Sequence, residues 1–376
     1  MKKKNGLACM IEFCKKETVF VVAVLLAVFS AFLVPPSGEY LDYIDFRVLA
    51  LLFCLMLLVA GIKEQGVFQR MGEGLITGVK DVRQLELVLT GLCFFSGMFI
   101  TNDVALITFV PFALEILSAA GLEKRIMKVV VLQTIAANLG SMLTPIGNPQ
   151  NLYLYSLTGM GLMEFILFMM PLTLLSMVIL LLVILAGKRE AVKADMQRSK
   201  EKADKKKLIL YLGLFVLCMG TVIRILPWQI SLLAVCVTGV FAFRNLFAQA
   251  DYCLLGTFLG FFIFVGNMQR LPAVSELLEK LLAGRELFLG VIASQIISNV
   301  PAAMLLSGFT QDYKALLYGV DIGGLGTLIA SLASLISYKY VCRIPGIRKG
   351  KYLGVFTFWN LLFLAILLPA AWLLLG

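Results

Sequence analysis

Between residues 18 and 375 the chain is a succession of apolar runs about as long as a bilayer is thick, divided by short loops that carry most of its charge. Runs at 18–34, 46–62, 127–143, 161–186, 208–223, 228–243, 252–268, 314–340 and 352–375 meet or approach the roughly 17–20 residues a helix needs to cross the hydrocarbon core. Soluble domains are about 45–50% apolar. This chain is 60% hydrophobic and 15% charged, with a mean hydropathy of +0.93. The sequence predicts an all-α polytopic membrane protein with about nine full spans, residues 1–376 forming a single membrane domain.

The formal charge of +10 does not point to nucleic acid, because the basic residues sit in loops beside the apolar runs. Five precede Thr18, nine lie in 187–207 and four in 342–351, and the positive-inside rule puts all three segments in the cytoplasm. The expected partner is the lipid of the cytoplasmic (inner) membrane, with the N-terminus cytoplasmic and the C-terminus outside. The opening MKKKNGLACMIEFCKKE leads into a retained first span, with no small-residue cleavage site of a removed signal peptide. Eight cysteines without CxxC spacing read as reduced, buried thiols. With no histidine in the chain, any proton chemistry falls to carboxylates.

Two apolar stretches, 87–118 and 286–309, are interrupted near the middle by ITND and ISNVP. Arms of about 10–15 residues are too short to cross, so both are expected to be re-entrant hairpins. A third interruption, SMLTPIGNPQNLY at 141–153, follows directly on an apolar run. Pro145 and Pro149 lack the N–H that would continue a helix, and Gly147 is free of side-chain restriction. Unpaired backbone survives at membrane depth only where it lines a cavity or is buried in protein. The 144–151 stretch is therefore expected to be a binding loop in a broken helix, its carbonyls facing a cation and its N–H groups an anion.

The interruptions recur in order. Ile100, Thr101, Asn102, Ala105 and Phe112 match Ile297, Ser298, Asn299, Ala302 and Phe309, and NLGSML at 138–143 pairs with GLGTLI at 324–329. Short amphipathic segments, 66–80 and 272–284, precede each hairpin. The expected plan is a first inverted repeat at 18–186, a cytoplasmic loop at 187–207, a linking span at 208–227 and a second inverted repeat at 228–376. Inverted repeats with paired broken helices are a pointer to secondary transport.

Thr101 and Asn102, with Ser298 and Asn299, offer oxygen for Na⁺ and donors for an oxyanion. Asp103 is a carboxylate inside a membrane segment and reads as a cation ligand or proton carrier; the alternative is a helix-capping or ion-paired residue. Asp321 stands in the second broken helix, where Gly323, Gly324 and Gly326 either make the break or allow close packing. Arg224, Arg270 and Arg285 are expected to snorkel at loop ends. An intramembrane enzyme is disfavoured, since there is no Ser/His pair and no GxGD motif. A channel would not need opposed hairpins.

ITNDVALITFVPF, ANLGSMLTPIGNPQNLYLYS, ISNVPAAMLLSG and GGLGTLIASLASLISY together resemble the ion transporter superfamily of divalent anion/sodium symporters, citrate transporters, ArsB-type arsenite permeases and NhaD-type sodium/proton antiporters. The resemblance implies a homodimeric elevator, a scaffold carrying a moving transport domain. It implies no cofactor beyond Na⁺ as a coupling ion, with ligands among Thr101, Asn102, Asp103, Ser298 and Asn299. It also implies binding roles for Val300 and for the loops 144–151 and 323–327, with Thr144, Pro145, Gly147, Asn148, Pro149, Gly324, Gly326 and Thr327. Asn138, Ser141, Pro301 and Asp321 are expected to bind beside them. Asp103 and Val300 replace the threonine of the symporter tips, and Asp after Thr-Asn is closer to the arsenite permeases, which favours proton coupling. The implied function is secondary transport of a small anion, a di- or tricarboxylate or an inorganic oxyanion, driven by Na⁺ or H⁺. Arsenite-type efflux and Na⁺/H⁺ exchange are the alternatives.

Overall fold

Aspartate side chains open five of the helices by accepting first-turn N–H groups: Asp45 from Val48, Asp81 from Gln84, Asp204 from Lys206, Asp251 from Leu254 and Asp312 from Ala315. Each satisfies a donor that a helix start leaves unpaired. The computed structural model describes residues 13, 14, 17–76, 78–191, 204–344 and 346–376, which form seventeen α-helices and no strand.

The first eight are α1 Thr18–Leu33, α2 Phe46–Glu64, α3 Val67–Ile76, α4 Val82–Gly97, α5 Asn102–Ala119, α6 Ile126–Ser141, α7 Pro149–Thr158 and α8 Leu162–Leu185. After α9, Lys205–Val222, come α10 Trp228–Ala242, α11 Tyr252–Gln269, α12 Pro272–Leu282, α13 Glu286–Ile297, α14 Asn299–Ser307, α15 Tyr313–Ile322, α16 Leu332–Val341 and α17 Lys349–Leu375. The two sets of eight correspond in order, leaving α9 unmatched between them. Packing follows the same exchange: α1 lies along α11, and α10 lies along α2. Gly260 of α11 lets the first pair approach, since a Cβ there would meet the Ala23 backbone at 3.0 Å. Asn267 fixes the pair by donating to Ser30 Oγ at 2.9 Å and Tyr40 Oη at 2.8 Å.

Several expected boundaries shift. The run 314–340 is not one helix but α15 and α16 with a loop between them, and the run 127–143 ends at Ser141. The arms of the first hairpin, α4 and α5, have 16 and 18 residues, longer than expected, while α13 and α14 have 12 and 9. Asp81 starts α4 earlier than apolar content suggests, and the apolar count missed the polar opening turn VRQLE. Both short amphipathic segments do form helices, α3 and α12.

Among the described residues, five helices are long and apolar enough to cross a membrane: α2, α5, α8, α11 and α17. Their neighbours leave large apolar side chains exposed, such as Leu25 and Phe32 on α1 and Val216 on α9. Water would not tolerate so much of this surface, so the fold is that of a polytopic membrane protein. At its centre stands α6, where every residue except Met127 and Lys128 is buried.

Arg224 and Arg270 do more than snorkel. Arg224 donates to the carbonyls of Gly159 and Tyr155, both at 3.0 Å, and lies over the Tyr155 ring. Arg270 pairs with Glu39 and donates to Tyr43 Oη at 3.4 Å.

Candidate functional site

Each hairpin tip is tied to the broken helix of its own half by one backbone hydrogen bond. Asn102 N–H donates to the Gly147 carbonyl at 3.2 Å, and Asn299 N–H donates to the Ala330 carbonyl at 3.0 Å. The helices that follow the breaks start at Pro149 and Leu332, behind Asn148 and Ser331, whose extended backbones nearly coincide in angle. Residue 147 thus corresponds to 330, 148 to 331 and 149 to 332. This register holds at the loop ends and does not carry back into the helices, because residues 142–148 separate α6 from α7 and the longer stretch 323–331 separates α15 from α16. NLGSML spans the end of α6, whereas GLGTLI at 324–329 lies wholly in the second loop.

The tips and breaks meet in one crevice. It is lined by Asn102 and Asp103 of α5, Pro149 and Gln150 of α7, Asn299 and Val300 of α14, Ser331 and Leu332 at the start of α16, and Leu254 of α11. All are first-turn or capping residues, Leu254 belonging to the first turn of α11. The N-termini of α5, α7, α14 and α16 therefore point the positive ends of their dipoles at one small volume, with the N–H groups of Asn102, Asp103, Asn299 and Val300 already bonded to the Gly147 carbonyl, Asn102 Oδ1, the Ala330 carbonyl and Asn299 Oδ1. The crevice offers about 20 Å³ to a water-sized occupant, far below the ~300 Å³ of a pocket enclosing a drug-sized ligand. Asp103 is the acid among these termini, and its Oδ1 is buried without a hydrogen-bond partner. Among the described residues it has no ion pair.

The remaining expected residues divide into those behind the crevice and those that shape the loops. Asn102 donates from Nδ2 to Asn138 Oδ1 at 2.9 Å and accepts the Asp103 N–H at 2.9 Å. Asn138 also accepts Ser331 Oγ at 3.0 Å and donates to the Gly324 carbonyl at 3.4 Å, joining both halves behind the tips. Ser141 donates to the Asn138 carbonyl at 2.9 Å, and Thr144 Oγ1 donates to the Met98 carbonyl at 2.5 Å. Pro145 and Gly147 are buried in the first loop. Asn148 Oδ1 is buried and unpartnered.

Thr101 caps α5 but does not line the crevice, and Ser298, though buried, contributes only hydrogen bonds of 3.4 and 3.5 Å to Ala330 and Asn299. Ser298 holds φ at 75°, a costly geometry for a residue with a side chain. Pro301 is buried in the first turn of α14. Gly326, with φ at 112°, and the exposed Thr327 lie away from the crevice. Of the five expected Na⁺ ligands, the crevice gathers Asn102, Asp103 and Asn299.

Sequence reasoning left out the amides that hold the loops. Asn151 Nδ2 faces the carbonyls of Met142 at 3.2 Å and Thr144 at 3.3 Å. In the second half the same task falls to Gln295 of the hairpin helix α13. Its Nε2 donates to the Gly323 and Leu325 carbonyls at 2.9 Å, and its Oε1 accepts Thr327 N–H at 2.8 Å. The break of α6 is proline-rich and that of α15 glycine-rich, and only the second needs an outside clamp. Gln150 and Asn151 could have been singled out as polar residues inside a marked loop; Gln295 carries no comparable signal.

Comparison with known proteins agrees with this architecture. A family described as citrate transporter matches residues 8–333. An uncharacterized transporter of Methanocaldococcus jannaschii is 29% identical over 84% of this chain and 86% of its own. Inner membrane protein YbiR of Escherichia coli is 30% identical over 86% and 87%. A silicon efflux transporter of Oryza sativa subsp. japonica is 33% identical over 43% of this chain and 33% of its own. With the family match running through both hairpins and the first broken helix into the second, the chain belongs to the citrate transporter family of membrane transport proteins.

Proposed function

We propose that this protein is a secondary active transporter of a small anion, a carboxylate or inorganic oxyanion, coupled to Na⁺ or H⁺. The observation that carries this reading is the convergence of four helix N-termini on one crevice with a single carboxylate, Asp103, among them. The N-termini supply an anion with positive potential, and Asp103 supplies a full negative charge for a cation. An anion that binds only beside its cation is coupled to it. In this reading the crevice opens to admit the anion, because its present size holds little more than water. The hairpins α4–α5 and α13–α14 are re-entrant from opposite faces of the inner membrane, and they move with the broken helices as an elevator past a scaffold built from the other helices. The scaffold forms a homodimer, and the N-terminus is cytoplasmic.

A second reading, export of a small hydroxylated weak acid such as arsenite, is favoured by the small crevice and by the rice relative's name, silicon efflux transporter. Transport of radiolabelled citrate, phosphate and arsenite by the purified full-length protein in liposomes, under imposed Na⁺ or pH gradients, tests both. Gradient-driven citrate or phosphate flux that Asp103→Asn abolishes supports the first reading; flux of arsenite alone transfers the protein to the second. No gradient-dependent flux of any of the three would sink both.

A further inference from the structure

Asp321 is a buried carboxylate that belongs neither to the crevice nor, among the described residues, to an ion pair. It ends α15 with 2% of its surface exposed. Its Oδ1 accepts from Gln150 Nε2 at 3.1 Å, and its Oδ2 is buried without any donor. Asn148 and Asn151 flank the same carboxylate, and both of their amide oxygens are buried and unpartnered. All three amides come from the start of α7, in the opposite half. Gln150 also lines the crevice, so one residue adjoins both carboxylate sites.

No charge nearby balances it. On α15 itself, Lys314 pairs with Glu164 and Tyr318 Oη donates to the Phe168 carbonyl. On α13, Glu286 accepts from Thr310 Oγ1 at 3.0 Å, and α14 has no titratable residue. On α7, Tyr153 bonds Ser307 and Tyr155 lies under Arg224. On α6, Lys128 is held by Glu86, and on α17 Tyr352 packs against Tyr338 and Phe356 while Lys349 and Lys351 stand at the opening turn. A carboxylate taken out of water with neither counter-charge nor a full set of donors is strongly disfavoured. Solvent must supply the missing positive charge.

The two broken helices differ near their ends, where α6 carries Asn138 and α15 carries Asp321. Asn138 is fully engaged as a neutral residue by Asn102, Ser331 and Gly324. At the tips the polarity reverses, with Asp103 opposite Val300. Asp103 and Asp321 therefore stand at non-equivalent places in the two halves.

We propose that Asp321 holds a second monovalent coupling cation, a proton or Na⁺, at a site formed with Gln150, Asn148 and Asn151 and distinct from the site at Asp103. This rests on the reading of the protein as a cation-coupled transporter. The occupant neutralises Asp321 Oδ2 between the two broken helices, and Gln150 reports its presence to the crevice.

Purified full-length protein, Asp103→Asn, Asp321→Asn and the double variant would be melted in NaCl against choline chloride at fixed pH, and across pH in choline chloride, with no anion substrate. Asp321→Asn should fold, because asparagine matches aspartate in size and removes an unbalanced buried charge. The expected result is that each single variant retains one cation response and the double variant retains neither. Dependence on Na⁺ at fixed pH assigns sodium to Asp321; dependence on pH in choline alone assigns a proton. Gln150→Ala, which removes a donor but no charge, should weaken the Asp321 response roughly tenfold without abolishing it. If Asp321→Asn responds as wild type while Asp103→Asn responds to nothing, the second site is refuted and coupled transport stands. If wild type itself responds to neither cation, both fall. Loss of response in Asp321→Asn alone supports the new site and removes Asp103 from the coupling role.

Discussion

The N–H of Asn102 reaches the Gly147 carbonyl at 3.2 Å, so the tip of the first hairpin is pinned by backbone to the loop of the first broken helix. Asn299 and Ala330 repeat the bond in the second half at 3.0 Å. Two backbone bonds thus hold the starts of α5 and α14 against the loops that lead into α7 and α16. Whatever displaces Gly147 or Ala330 should displace a tip.

Gly147→Ala is the direct test. A Cβ at 147 would land on the Ser141 carbonyl and lie 2.9 Å from that of Gly97, both main chain. Neither can rotate away. The substitution should cost about 3 kcal/mol, at the upper end of overpacking, and lower the melting temperature of the purified protein. A variant that melts as wild type would mean that the loop yields easily.

Gln295→Leu should loosen the second loop specifically. It removes the donor to two carbonyls and the acceptor of Thr327 N–H at similar side-chain volume. Leaving these groups unpaired should cost roughly 2–3 kcal/mol. Hydrogen exchange should show faster exchange at 323–331 with 142–148 unchanged; equal acceleration in both loops would show that the clamp acts globally.

Glu86→Gln probes the charge cluster at the start of α4. Glu86 is 1% exposed and accepts from Arg125 at 3.1 Å and Lys128 at 3.2 Å. Its loss leaves two cations facing a buried surface. Because Arg125 and Lys128 retain some solvent, the expected loss is about 2 kcal/mol, below the ~3–5 kcal/mol of a fully buried pair. Thermal melts at low and high salt check this, and an unchanged melting temperature at low salt would contradict it.

Asp81 links the same end of the bundle to the chain that follows α8. Its carboxylate accepts Gln84 N–H and, at 2.9 Å, Arg189 Nε; Val82 N–H meanwhile donates to the Glu190 carbonyl at 2.9 Å. First the Gln84 N–H and then Arg189 hold its pKa below the usual carboxylate range. A carboxylate depressed by folding stabilises above its unfolded value of about 3.9, and the contribution fades as pH falls through the lower folded value. The melting difference between wild type and Asp81→Asn should therefore be constant from pH 7 to about 5 and shrink below about 4. A difference that grew on acidification would reverse the assignment.

What the sequence determined by itself is the class of molecule and the places where its helices stop. Apolar runs of bilayer length exclude a soluble fold, and Pro145, Gly147 and Pro149 end α6 because two of them cannot donate to a helix and the third packs against backbone. The tips at Asn102 and Asn299 were legible for the same reason, as polar residues in apolar surroundings. Tertiary structure decided which residues face one another. Leucine, isoleucine and valine are nearly interchangeable along such helices, so the sequence holds little register information, and a run of glycines drew the match for NLGSML to 324–329, wholly inside the second loop. Gln295 and Gln150 act on partners 28 and 171 residues away, distances over which only packing brings side chains together. The meeting of Asn102, Asn138 and Ser331, and the isolation of Asp321 from any counter-charge, are likewise properties of the assembled bundle, because burial and partnership are set by neighbours that the local chain does not contain.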